Sequence, residues 1–180
     1  HSVIDGLRAN QSTTDSIKVI AEDGTFEYAT ITISGTNDAP VLSGDRTGNV
    51  VEDIGPGTAA GILVGSDVDA GDSLTFSVDD TTGTYGSLAM GSETGAWTYT
   101  LNNNDSDTNA LAGGESVSDS FTVALDDGQG GRVTGDVTIA IAGTNDGPVI
   151  TSEGSISVPE NSTAVTTITA IDVDDSELEY

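Results

Sequence analysis

The sequence predicts an all-β chain made of tandem seven-stranded β-sandwich repeats. Three observations predict it. Apolar and polar residues alternate with period two in many short runs. Gly- and Asp-rich turn signals separate those runs. And one block recurs: Gly35-Thr36-Asn37-Asp38-Ala39-Pro40-Val41 returns as Gly143-Thr144-Asn145-Asp146-Gly147-Pro148-Val149, 108 residues later.

The surroundings of that block repeat too. Asp15-Ser16-Ile17 matches Asp119-Ser120-Phe121, and Asp23-Gly24 matches Asp127-Gly128, with four extra residues after it in the second copy. Val51-Glu52 matches Pro159-Glu160, and Asp67-Val68-Asp69 matches Asp172-Val173-Asp174. The chain therefore divides into the C-terminal part of one repeat (1–40), a complete repeat (41–147) and the N-terminal part of another (148–180). A repeat of that size can bury its own core. His1 enters in mid-pattern, so the sequence reads as an internal stretch of something longer.

In the complete repeat, strands are expected near 47–51, 59–65, 73–79, 85–90, 95–101, 117–125 and 132–142. Phe121, Val123 and Leu125 alternate with smaller or polar residues, as do Val137, Ile139 and Ile141. Turns fall at Ala70-Gly71-Asp72, Gly91-Ser92-Glu93 and Asp127-Gly128-Gln129-Gly130-Gly131. Short strands at such regular spacing suit an Ig-like sandwich. Trp97, Tyr99 and Leu101 share one strand face and are expected in its core.

Charge excludes several function classes. Thirty carboxylates against four Lys and Arg leave a net charge of −26. Such a surface repels phosphate backbones, so nucleic acid is no partner, nor is an anionic membrane surface. No apolar run reaches membrane-spanning length, which argues against direct insertion. With no Cys, a disulfide staple is excluded, and a bound cation becomes the natural alternative. The single His is His1, so a Ser–His–Asp catalytic set is not available, and the chain is not expected to be an enzyme.

The acids are placed with a pattern. Asn37-Asp38 precedes Pro40, and Asn145-Asp146 precedes Pro148. Asp67-x-Asp69-x-x-Asp72 returns as Asp172-x-Asp174-Asp175-x-Glu177. Single acids sit at strand ends: Asp23, Glu52, Glu115, Asp127 and Glu160. In an extended segment Asp67 and Asp69 point to one side, and two carboxylates about 5 Å apart repel by roughly 3 kcal/mol. Asn-Asp before a proline also suits a plain turn. Repetition in register favours cation binding. The donors are hard oxygens, which suit Ca²⁺ rather than Zn²⁺.

Pro159-Glu160-Asn161, Ala170-Ile171-Asp172-Val173-Asp174, Val19-Ile20-Ala21-Glu22-Asp23-Gly24 and Asn37-Asp38-Ala39-Pro40 together resemble the cadherin repeat. The central copy resembles the bacterial VCBS and cadherin-like repeats of RTX adhesins. That likeness is carried by Gly83-Thr84-Tyr85-Gly86-Ser87-Leu88, Trp97-Thr98-Tyr99-Thr100-Leu101, Leu111-Ala112-Gly113-Gly114-Glu115, Asp119-Ser120-Phe121 and Gly143-Thr144-Asn145-Asp146. The resemblance implies Ca²⁺ at the junctions between repeats. At the first it implies Asn37, Asp38, Asp67, Asp69 and Asp127 as ligands. At the second it implies Glu52, Glu115, Asn145, Asp146, Asp172 and Asp174. Two departures matter: Gln11 stands where the family offers a Glu, and Val50-Val51-Glu52-Asp53 replaces Pro-Glu-Asn. The first junction is therefore expected to bind more weakly. The Gly-rich nonapeptide of RTX β-helices is absent from the sequence.

The function the resemblance implies is that of calcium-stiffened extender repeats in a large bacterial adhesin, extracellular or on the cell surface and exported by type I secretion. The partners would be calcium ions, the adjacent repeats, and a cell-surface or matrix carbohydrate or protein. The alternative is a carbohydrate- or self-binding module, or a spacer in a secreted polysaccharide-degrading enzyme. Sugar stacking needs exposed aromatics, and the chain has one Trp, four Tyr and three Phe.

Overall fold

Alternating residues become paired strands in both the central region and the segment before it. A computed structural model describes residues 2–155, 157–161, 163 and 167–179, leaving aside the side chains of Ser2 and Val3. A single helical turn, α1 (Ser2–Asp5), precedes a hairpin of β1 (Ser12–Ile20) and β2 (Phe26–Ser34). The central region holds β3 (Val41–Gly44), β4 (Thr47–Val51), β5 (Thr58–Ser66), β6 (Thr75–Val78), β7 (Gly86–Met90), β8 (Ala96–Leu101), β9 (Ser116–Asp126) and β10 (Arg132–Ala142). Two short strands follow, β11 (Val149–Ile150) and β12 (Ala170–Ile171).

The central strands form two four-stranded sheets, ordered β4-β10-β9-β6 and β3-β5-β8-β7. All seven expected strands are present, and β3 is an eighth that alternation did not reveal. It is four residues long, with Leu42 as its one buried side chain. The chain changes sheet between Asp45 and Arg46. The Asp45 amide donates to Ile62 O of one sheet, while Arg46 O accepts from Thr138 N of the other. Thereafter β4 runs parallel to β10, which delivers Glu52 to the same end of the sandwich as Thr144.

The core lies between the sheets. Trp97 and Tyr99 are buried with Leu63, Leu88, Phe121, Val123, Leu125, Val137, Ile139 and Ile141. Each such side chain contributes roughly 1.5–3 kcal/mol by leaving water. The Trp97 ring N–H donates to Asp45 O at 2.9 Å, so its one polar atom is satisfied.

A buried acid braces the sandwich. Asp119 accepts from Tyr99 Oη at 2.8 Å, Thr84 N at 2.8 Å and Tyr85 N at 3.1 Å. Gly83 makes this possible, because a Cβ there would overlap the Asp119 carboxylate. Burial first, and then Asp119, push the Tyr99 hydroxyl pKa well up, so it stays a donor. The Gly83-Thr84-Tyr85 stretch is thus a clamp on a structural carboxylate.

The flanking strands copy the registers of the central ones. Asp15 faces Ile31 as Asp119 faces Ile139, and Ile17 faces Ala29 as Phe121 faces Val137. The four extra residues lengthen the second hairpin by two residues on each strand. Its five-residue turn opens at Asp127, where the first hairpin has Ala21. Val149 faces Ile171 as Val41 faces Ser66. Unlike its counterpart, the β1–β2 hairpin exposes its apolar residues, among them Ile17, Val19, Phe26 and Tyr28.

Candidate metal centres

Two acidic groups form where linkers meet strand ends. In the first, the linker after β2 crosses the β9–β10 turn and the segment after β5. Asn37 Nδ2 donates to Asp127 Oδ2 and to Asp38 O, both at 2.8 Å. The Asp38 amide donates to Asp69 Oδ2 at 2.8 Å, and the Asp69 amide to Asp67 Oδ1 at 2.9 Å. Carboxylate oxygens of Asp67, Asp72 and Asp127 all lie within 4.8 Å of one another.

The second group repeats this local geometry. The Asp146 amide donates to Asp174 Oδ2 at 3.1 Å, and the Asp174 amide to Asp172 Oδ1 at 3.3 Å. Asn145 Nδ2 donates to Asp146 O, as Asn37 does to Asp38 O. From the central sandwich comes Glu52, whose Oε2 accepts from Thr144 N at 3.2 Å. Oxygens of Glu52, Asp53 and Asp146 lie within 4.8 Å of one another.

These clusters differ from a solvated acidic coat in one respect: several of their oxygens are buried and lack donors. Glu52, Asp69 and Asp127 are 0%, 2% and 1% exposed, which removes the solvent that would screen them. Asn37 Oδ1, Asp67 Oδ2, Asp69 Oδ1, Glu52 Oε1, Asp146 Oδ2 and Asp174 Oδ1 accept no hydrogen bond; nor do the Asp72 oxygens, though Arg8 Nε stands 2.7 Å from one of them. A buried acceptor without a donor is costly, and a buried charge without a partner more so. Every available donor atom is a hard oxygen, and a divalent cation such as Ca²⁺ would satisfy several at once.

Protonation responds to the crowding. Burial, then the charges of Asp146, Asp53 and Asp174, raise the pKa of Glu52 against the Thr144 amide, which lowers it. A hydrogen bond and repulsion from Asp172 raise that of Asp174. The Asn37 amide, helped by turn N–H groups, holds Asp127 below the usual carboxylate range.

Most residues expected from the sequence meet here: Asn37, Asp67, Asp69 and Asp127 in the first group, and Glu52, Asn145, Asp146, Asp172 and Asp174 in the second. Asp38 joins through its backbone, and its side chain is exposed. Glu115 is exposed and accepts from the amide of Ala112 at 3.2 Å, capping its own turn; it is not among the gathered carboxylates. Two ligand candidates were passed over, Asp53 and Asp72. Asp72 had a signal, as the third acid of Asp67-x-Asp69-x-x-Asp72. Asp53 adjoins Glu52 in left-handed backbone (φ 51°), which the sequence did not announce.

Two facing sheets with acidic linkers at their ends define a cadherin-like β-sandwich. Residues 37–143, more than half the chain, match the bacterial cadherin-like domain family, and the chain belongs to it. Its fold is similar to that of human CDH23 EC21-23, with a TM-score of 0.51 and 17% identity over 92% of this chain and 55% of that one. Mouse cadherin-23 EC22-24 gives 0.50 at 19% identity, over 92% and 54%. Protocadherin gamma B7 domains 1-4 give 0.52 at 18%, over 93% and 42%. The chain thus spans about half the length of these structures or less, and the likeness is one of fold. No curated protein matches the chain in sequence. Membership of this family marks an adhesion or extender module. Among the described residues no helix is long and apolar enough to cross a membrane.

Proposed function

We propose that this chain is a calcium-stiffened extender segment of an extracellular bacterial adhesin, with a repeat at 41–147 flanked by parts of two others at 1–40 and 148–180. The observation that carries the reading is the set of buried carboxylate oxygens without donors, gathered twice at linkers in the same local geometry. Matching strand registers in the flanking pieces support the tandem arrangement. The exposed apolar face of the β1–β2 hairpin is then half of a neighbouring core.

Asn37, Asp67, Asp69 and Asp127 would hold Ca²⁺ at the first junction, with Asp72 beside them paired to Arg8. Glu52, Asp53, Asp146, Asp172 and Asp174 would hold it at the second. The ion supplies positive charge where carboxylates from two sides of a linker repel one another. Its effect is mechanical: it ties the linker to both neighbours and fixes their angle. Pro40 and Pro148 help by restricting φ where each following repeat begins. A sugar-stacking role is less well supported: Trp97 and Tyr99 are buried, and the exposed Phe26 and Tyr28 belong to the hairpin face that forms half of a neighbouring core.

Thermal melts in EDTA and in millimolar Ca²⁺ test the reading. A ligand bound only to the folded state at about 100 times its dissociation constant adds about 2.7 kcal/mol, and the melting temperature should rise by several degrees. Equal melting temperatures in the two buffers would refute it.

A further inference from the structure

We infer that Arg8 is a built-in cation of the first acidic group, so that this group takes up Ca²⁺ more weakly than the second and holds together better without it. The inference rests on the calcium reading of both groups and adds a residue that distinguishes them.

The segment Leu7–Gln11 is the counterpart of Leu111–Glu115, as three matching hydrogen bonds establish. The Arg8 amide donates to Gln11 Oε1 at 3.2 Å, and the Ala112 amide to Glu115 Oε2 at 3.2 Å. Gln11 N donates to Arg8 O as Glu115 N does to Ala112 O. Gly35 N donates to Gln11 O as Gly143 N does to Glu115 O. At these positions the first junction therefore has Arg for Ala and Gln for Glu. Arg8 makes the acidic group itself one charge less negative, whereas Gln11, like Glu115, caps its own turn outside the gathered carboxylates.

The guanidinium reaches the group itself. Arg8 Nε lies 2.7 Å from Asp72 Oδ1, in an ion pair whose Asp72 side chain is fully buried. Neither Asp72 oxygen accepts an aligned hydrogen bond, so the charge of Arg8 is what offsets that carboxylate. Gly71 leaves the room: a Cβ there would overlap Arg8 Nη2, and its backbone is left-handed (φ +86°). A bond from Ala70 N to Gly6 O, at 3.5 Å, ties the two segments together. The other cations are engaged elsewhere: Arg46 at Leu42 O, Arg132 at Asp79, and Lys18 over the Phe26 ring. A guanidinium stays charged at any working pH, so this compensation is permanent.

Isothermal titration of the whole chain with Ca²⁺, in wild type, R8Q, R8K, D72N and D67N, tests the assignment. Wild type should show a tighter and a weaker class of sites. R8Q should tighten the weaker class by about tenfold, since ligand charge tunes affinity over decades, and leave the tighter class unchanged. R8K should stay near wild type. In EDTA, R8Q should melt below wild type, and the gap should close in saturating Ca²⁺. D72N should alter the weaker class far less than D67N, because Arg8 already neutralises Asp72; this comparison stands even if R8Q fails to fold. Weaker or unchanged binding in R8Q, or D72N as damaging as D67N, would overturn the role of Arg8 while leaving the calcium reading intact. No Ca²⁺ uptake by either wild type or R8Q would overturn both.

Discussion

Glu52→Gln should change the sign of its effect when calcium is added. Glu52 ends β4 with its side chain buried, Oε2 held by the Thr144 amide and Oε1 without a donor. Oxygens of Asp53 and Asp146 lie within 4.8 Å. At that range each fully charged pair repels by about 3 kcal/mol at an effective dielectric near 20. Solvent around the exposed Asp53 screens this, leaving about 1–2 kcal/mol that a neutral amide would relieve. Gln keeps an acceptor for Thr144. In EDTA at pH 7 the variant should therefore be more stable by that amount. In saturating Ca²⁺ it should be less stable, having lost a charged ligand. The pH dependence follows from the raised pKa. A carboxyl raised above its ordinary value of 4.5 contributes fully below that value and loses its contribution as pH rises through the folded-state value. The advantage of the variant in EDTA should thus be absent at about pH 4 and grow toward neutrality. Urea titrations at three pH values, with EDTA or Ca²⁺, measure this. A variant less stable than wild type in EDTA at pH 7 would refute the repulsion argument. An unchanged gain from calcium would refute Glu52 as a ligand.

Asp119→Ala removes the shared acceptor of Tyr99 Oη, Thr84 N and Tyr85 N at once and should cost about 3–5 kcal/mol with or without calcium, against about 1–2 for Tyr99→Phe; denaturant midpoints in both buffers check the independence from metal. A chain of two or more complete repeats should show a narrower spread of radius of gyration by small-angle scattering when Ca²⁺ is added, with Asp172→Ala blunting the change; an identical profile from EDTA to saturation would count against a rod.

Much of the fold was legible in sequence because side-chain period and strand geometry are the same quantity. Phe121, Val123 and Leu125 alternate in the sequence, and all three are buried. The strand β3 escaped because four residues carry too little alternation, and because what makes Val41–Gly44 a strand is its pairing with β5. The site was partly legible: repetition in register marked Asn37, Asp67, Asp69, Asp146 and Asp174. Glu115 was marked by likeness, but its carboxylate turns back to its own segment.

What the sequence determined by itself was local or additive: the strands, the turns, the repeat and a charge so negative that cations must accompany it. What tertiary structure alone decided was pairing across long separations. Asn37 meets Asp127, Glu52 meets Thr144 and Asp146, and Arg8 meets Asp72 only because sheets and linkers bring distant segments to one end of the sandwich. Whether a carboxylate is a solvated surface charge or a buried, undersatisfied ligand depends on how much solvent reaches it and which donors face it. Both are set by the packing of strands, and neither is written in the spacing of the acids.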